Sequence, residues 1–452
     1  MVESKSHDSD DVESDPEDQS NPELNDNDDE LEVDSDFEIE EDDTDGLEDE
    51  NEHKVEEISP NSQNMVWRND ERPLNSDEEL ELSPGCYDML HRISLDWSCL
   101  SFDILKDDLG ACRFNYPFEC YVVSGTQPGT SKGMDSLIHV MRWSNLTKNF
   151  GEVDSDDEEG EGDDCVFRIS SIKHKGIVNR IKACPQNSRL VCSMSDTGNV
   201  YIWDIQNQLN NINTDNWKAE TPHKKKPLFT CSLHESEGYA VSWSPLVTGR
   251  LATGSCDGSL VLWEPIEGSW NNTKTLQLDT SIEDLNWSYT DSNVLLSGSC
   301  DGLLRLVDVR NGQVVTKVSV SETDLNSISL NSIDNNLVLT GSEDGSVKIF
   351  DLRYPETYLS NLKWHKKPIT CVDWHPLDSS VCSVSCRDDS ISIWDVSIEA
   401  ESASDSDIPQ QLLFLHMGQT EITEVMFHRN IPGVIISTAL DGFNIFKTIN
   451  VD

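Results

Sequence analysis

Eleven His and thirteen Cys carry the widest chemical repertoire in this 452-residue chain, so their placement decides which reactions are open to it. Gly254-Ser255-Cys256-Asp257-Gly258 and Gly298-Ser299-Cys300-Asp301-Gly302 each set a hydroxyl, a thiol and a carboxylate side by side, the raw material of a nucleophile. A nucleophile elbow, however, needs G-x-S-x-G on a strand-to-helix turn, which exposes the Ser. Neither stretch has that spacing, and each runs on into a strand. There is no G-x-x-x-x-G-K-[ST] loop to cradle a phosphate chain. No CxxC pair occurs, and His and Cys do not cluster at metal-ligand spacing. Catalysis is not expected, nor is a cofactor or metal.

The elements that hold these residues explain them better. Fourteen positions separate a bulky apolar residue from a turn Asp at Trp243/Asp257, Trp287/Asp301, Leu330/Asp344, Trp374/Asp388 and Phe427/Asp441. Six positions further on stand Trp263, Val307, Phe350 and Trp394. Four of the five turns read Asp-Gly, a pair suited to a two-residue hairpin in which both central residues take φ > 0. Strand-end anchors 43 or 44 residues apart, several of them closing on aromatic-Asp, are the signature of a β-propeller with four-stranded blades. An irregular first blade takes strands from Phe118–Thr126 and Ser136–Trp143, a further strand from Val166, and the next blade ends at Trp203-Asp204. The count comes to seven, and ring closure removes the sheet edges that would otherwise aggregate. His234 precedes Trp243, and His365 precedes Trp374, by nine residues. In WD repeats such a His joins the turn Asp, a strand Ser or Thr and the anchoring Trp. The expected buried networks are therefore His234, Thr253, Asp257 and Trp263, and His365, Asp388 and Trp394. Blades at Trp287 and Leu330 lack the His and should be looser.

Charge is the second signal. The chain has 85 Asp and Glu against 33 Lys and Arg, a formal charge of −52. Residues 1–57 hold 28 of those acids against Lys5 and Lys54, half of the total charge. Such a stretch cannot bury enough apolar surface to offset ordering, so residues 1–82 read as a disordered acidic tail. Acidic loops are expected at 150–165 and 397–410. This charge repels nucleic-acid phosphates and attracts basic proteins, so direct nucleic-acid binding is not expected. Ser14, Ser35, Ser76 and Ser155 each have an acid three residues on, the pattern of acid-directed phosphorylation. Without an apolar leader or a run of 18 apolar residues, neither secretion nor a membrane span is expected. The Cys read as reduced, half-buried strand residues.

Between tail and propeller, Ser83-Pro84-Gly85 looks like an N-cap with Pro at the first helical position. Cys86, Leu90, Ile93 and Trp97 then fall on one helical stripe. The expected architecture is all-β: a seven-bladed propeller over 99–452, a short N-terminal helix at 83–98, and the tail. Leu100–Leu105 is the candidate strand to close the ring.

Several stretches carry a family resemblance. They are Cys99–Ile104, Ser124-Gly125-Thr126-Gln127, Trp243–Leu251, Pro409–His416 and Ile435–Phe446. Together they resemble the glutamate-rich WD-repeat protein family, over about residue 83 to the end. More distantly the chain is similar to the retinoblastoma-binding histone chaperones. Their groove between an N-terminal helix and an acidic loop implies a client-binding groove here. Leu90, Ile93 and Trp97 would form one wall, with Glu399, Glu401, Asp405, Asp407, Ile408 and Pro409 opposite. The closer resemblance implies a chaperone for a basic large-subunit ribosomal protein. It would act with pre-ribosomal particles in nucleus and nucleolus, with some in the cytoplasm, and would also bind histones. Two other readings stay open. One is a histone-binding member of a chromatin complex. The other is a cullin-ligase substrate receptor meeting a ligase adaptor, because Asp308-Val309-Arg310 and Asp351-Leu352-Arg353 match the Asp-x-Arg such receptors carry.

Overall fold

In the computed structural model, residues 85–128, 135–149, 165–399 and 408–451 are described, with Arg68 and Leu80. They form seven four-stranded antiparallel sheets, as the repeat spacing predicts. Blade four is representative, running from Ile282–Trp287 through Val294–Ser299 and Leu303–Asp308 to Gln313–Ser319. Its middle strands have the continuous apolar character of sheets covered on both faces. Its outer strand alternates exposed and half-buried residues, because one side faces water. One α-helix is present among the described residues, Gln206–Ile212, within the polar insert that follows blade two's third strand.

The N-terminal helix expected at 83–98 is a strand. Tyr87–Ile93 pairs antiparallel with Gly442–Thr448 and supplies the outer strand of blade seven. The closing strand is thus this one, and Cys99–Ile104 is instead the first strand of blade one. The helical stripe is explained by a bulge between Tyr87 and Met89. The extra residue shifts the strand's phase, so Tyr87 and Leu90 share one face and pack with Leu413 and Phe414 of blade six. Met89 and Ile93 turn the other way, into the core shared with blade one. Both faces are covered, and the apolar positions fall at intervals of three and four as on a helix.

The hairpins also differ from the two-residue turn. Cys256, Asp257 and Gly258 lie between the bonded pair Ser255 and Ser259, and Gly258 alone of the three has positive φ, +80°. This is a tighter turn followed by one left-handed residue. Asp257 faces inward, accepting from Ser259 N at 2.7 Å and Glu235 N at 2.6 Å, and so ties its hairpin to the incoming link.

Two recurring contacts lock each blade to its neighbour. Trp243, Trp287 and Trp374 donate their indole N–H to carbonyls of the preceding blade's inner strand, at Lys182, Ser242 and Ser329, over 2.9–3.0 Å. Asp103, Asp284 and Asp373 accept from backbone N–H of the following blade at Ala183, Ile328 and Phe427, over 2.7–2.9 Å. At the seam between blades seven and one, Glu424 takes over. It accepts from Phe102 N at 2.9 Å and the Ser101 hydroxyl at 3.1 Å, and it pairs with Arg180 and with Lys182. Burial raises a carboxyl's pKa, but here Lys182 and Arg180 outweigh it and hold Glu424 below its ordinary value.

Candidate functional site

The His-centred chemistry is turned inward. His234 Nε2 meets Thr253 Oγ1 at 2.8 Å, and the Trp263 indole donates to the same oxygen at 3.0 Å. Asp257 joins this set only through Ser259, whose hydroxyl lies 2.6 Å from His234 Nδ1. In blade six, His365 Nδ1 contacts Asp388 directly at 2.7 Å. Its Nε2 and the Trp394 indole share Ser392 Oγ, each at 2.7 Å. A third set lies outside the sequence reading: His174 Nε2 to Ser193 Oγ at 3.0 Å, with Trp203 donating to Ser193 at 2.8 Å. Its signal is present in the chain, since His174 precedes Ser193 by 19 residues and Trp203 by 29, as His234 precedes Thr253 and Trp263. The blade at Trp287 is not left loose. Buried Arg305 takes the His's place, bonding Ser299 Oγ at 2.9 Å and pairing with Asp301. His365, Cys386 and Asp388 lie close enough to share an ion, but both imidazole nitrogens are already bonded. These residues build the wall; they do not present themselves to a ligand.

The residues expected in a lateral groove are only partly brought together. Leu90 lies beside Leu413 and Phe414, at the start of the blade-six strand that follows the acidic loop. Tyr87 fixes that seam, with its hydroxyl 2.8 Å from His416 Nδ1 and its ring 5.1 Å from that of Phe414. Ile93 is 8% exposed and belongs to the blade-one core, so it lines no groove. Trp97 lies beyond the strand, half-buried. Glu399 is exposed, while Ile408 packs against the blade-five and blade-six core and Pro409 is half-buried. Glu401, Asp405 and Asp407 lie outside the described residues, as do Ser14, Ser35, Ser76, Ser155 and most of the tail.

One end of the propeller carries a feature not singled out in the sequence. The links between blades and the second-to-third-strand hairpins emerge there together. Before blade three the link brings Glu235 and Glu237, and its hairpin Asp257. Before blade four come Asp279 and Glu283, then Asp301. Before blade five come Glu322 and Asp324, then Glu343 and Asp344. Neither Lys nor Arg stands in these loops. Cys256 and Cys300 register the resulting field. Burial raises both thiols, and Glu283 raises them further, joined by Glu237 and Asp257 at Cys256 and by Asp324 at Cys300. Blade six interrupts the acid with Lys366, Lys367 and Arg387. The signal is legible as acids recurring just after each outer strand, but single positions read as ordinary loop residues without the ring to gather them.

Seven such sheets, with turn Asp residues and His–hydroxyl–Trp sets, define a WD-repeat β-propeller. Models of the WD domain, G-beta repeat, match residues 165–204, 312–351 and 356–395. The family model of the histone-binding protein RBBP4, a component of the CAF1 complex, matches residues 77–147. Among curated proteins, ribosome assembly protein rrb1 of Schizosaccharomyces pombe is 40% identical, covering 90% of this chain and 92% of its own. Protein HEAT STRESS TOLERANT DWD 1 of Arabidopsis thaliana is 37% identical, covering 89% and 95%. Glutamate-rich WD repeat-containing protein 1 of Dictyostelium discoideum is 37% identical, covering 85% of each. The chain belongs to the glutamate-rich WD-repeat protein family.

Proposed function

We propose that this protein is a non-enzymatic chaperone that holds a basic client during ribosome assembly, with its acidic end as the main contact. The client class is a basic large-subunit ribosomal protein, with histones as a second class, and the work is done in the nucleus and nucleolus. The observation that carries this is the run of loop carboxylates across blades three to five, free of intervening cations. Charge of one sign on a rigid surface raises encounter rates with opposite charge and selects partners. The relative's name, ribosome assembly protein, supports the assembly role, and the histone-binding family model supports the second client class.

The test is a triple reversal, Glu237→Lys, Glu322→Lys and Asp344→Lys, with binding to purified large-subunit ribosomal proteins and histones measured across salt. Affinity should fall by at least about tenfold at physiological salt, with a shallower salt dependence. Wild-type affinity in the reversed protein would remove the acidic end from the mechanism. The lateral seam is a separate contact in this reading, with Leu90 and Glu399 at its described edges and Glu401, Asp405 and Asp407 in the loop. Asp405→Lys with Asp407→Lys should weaken client binding too, and unchanged binding would eliminate the seam alone.

A second reading has its own support. Arg310 and Arg353 stand exposed at the opposite end, each forked onto its Asp at 2.8 and 2.6 Å. Both present an Asp-x-Arg surface of the kind ligase receptors use. Arg310→Ala with Arg353→Ala should abolish capture of a cullin-ligase adaptor from nuclear extract, leaving client binding intact.

A further inference from the structure

At the end of the channel opposite the acidic face, a cavity of about 230 Å³ lies between blades seven, one and two. Asp103, Lys106, His428 and Arg429 are its charged and titratable lining residues. Its hydrogen-bonding inventory is one-sided. Both Asp103 oxygens are used, accepting from Ile104 N at 2.8 Å and Ala183 N at 2.7 Å. His428 Nδ1 also accepts, from Asn430 N at 3.0 Å and Ile431 N at 3.2 Å. The imidazole proton therefore sits on Nε2, which is buried and has no partner among the described residues.

Arg429 completes the imbalance. The channel's other cations are paired: Arg180 and Lys182 both meet Glu424. Arg429 has neither a hydrogen bond nor an ion pair among the described residues, in a chain with 85 carboxylates. Burial disfavours its charge, but Asp103, the Tyr289 phenol and Asp373 more than compensate, so it stays a cation. None of those three groups bonds it. Lys106 stands exposed at the cavity rim. Unfilled donors facing a cavity whose acceptors are occupied call for a ligand that brings acceptors and negative charge. The planar guanidinium fork matches two oxygens of one such group.

We propose that this cavity binds a phosphate group, free or carried on a larger molecule, forked by Arg429 and held at the rim by Lys106. The His428 N–H is the adjacent donor, and a polyphosphorylated ligand would extend past Lys106. This site is independent of the acidic end and of the client.

The experiment is calorimetric titration of the full chain with inorganic phosphate and with tripolyphosphate, at ionic strength fixed with sodium chloride. Saturable binding of at least one is expected, weakened about tenfold in Arg429→Gln and in Lys106→Ala, and unchanged in Arg189→Ala. Arg189 sits elsewhere on the same end, paired with Asp204. Equal affinity for the two probes marks a free-ion site; tighter tripolyphosphate marks a ligand with several phosphates. Lys106→Ala changes an exposed side chain, so it keeps the test decisive if Arg429→Gln fails to fold. No saturable heat from either probe, or equal binding in wild type and both cavity variants, overturns the site.

Discussion

At the scale of single residues, the informative groups are those that chemistry would nominate and the fold claims. Thr253 Oγ1 is the acceptor shared by His234 and Trp263, so Thr253→Val removes it while nearly preserving volume. Two buried polar groups then lose their partner, at about 1–3 kcal/mol each. Ser193→Ala should cost a similar amount, because His174 and Trp203 share that oxygen. Chemical denaturation followed by Trp fluorescence checks both, and a loss below about 0.5 kcal/mol would mean that water replaces the hydroxyl. These sets are legible in part. The spacing from His to anchor locates His234 and His365, but not which hydroxyl each reaches. At the position 19 residues after His365 stands Val384, and the imidazole turns instead to Ser392. Exact partners depend on which side chain offers oxygen once the strands are in register, and spacing alone does not carry that. The same holds for Arg429, whose lack of a partner exists only when seven inner strands converge.

At the scale of elements, the repeat spacing specifies blades because hairpin and strand lengths are fixed by the Trp-to-Asp interval. The first strand reads as a helix because a bulged strand buried on both sides has no period of two. Its sequence mimics a helix, and only the empty edge of blade seven reveals the true partner. Ile93 is the measure of the correction. A groove residue would lose binding on truncation and keep its stability. Ile93→Ala should instead lower unfolding free energy by about 2–5 kcal/mol, as removal of buried methyl groups does. Client affinity of the folded fraction should be unchanged. An unaltered denaturation midpoint would return Ile93 to the surface. Gly302 offers a second check on the hairpins. Its φ is +68°, and a Cβ there would lie 2.1 Å from the Ser321 carbonyl oxygen. Gly302→Ala should therefore destabilise by more than the loss expected at an open left-handed position, about 1–2 kcal/mol.

At the scale of the whole molecule, the propeller carries an acid sensitivity that its exposed carboxylates do not cause. Burial pushes His139, His174 and His234 down to about 4, and His416 and His428 to about 3. The unfolded chain would protonate them near about 6.5. Their contribution to stability is therefore complete above about pH 6.5 and is lost as pH falls through about 4. Asp373 works the other way. Burial raises it from 3.8 to about 6, so between those values its protonation favours the folded state. One group opposes five, and the net expectation is a denaturation midpoint that declines from about pH 6.5 downward. A midpoint independent of pH between about 6.5 and 4 would show that these imidazoles are not held neutral.

The pairing of Tyr87–Ile93 with Gly442–Thr448 also sets the order of events during synthesis. The early strand leaves the ribosome long before its partner, which is made only after the other six blades. Its contacts have the greatest sequence separation in the ring, and such contacts form slowly because a long loop must close first. Throughout that interval Met89, Leu90 and Ile93 have no cover, and the inner strand of blade one lacks the Glu424 clasp. The nascent chain is a half-built ring with sticky edges at both ends of its arc, open to pairing with another copy. A protein that shields others from premature contact thus passes through a stage of its own in which it needs the same shielding.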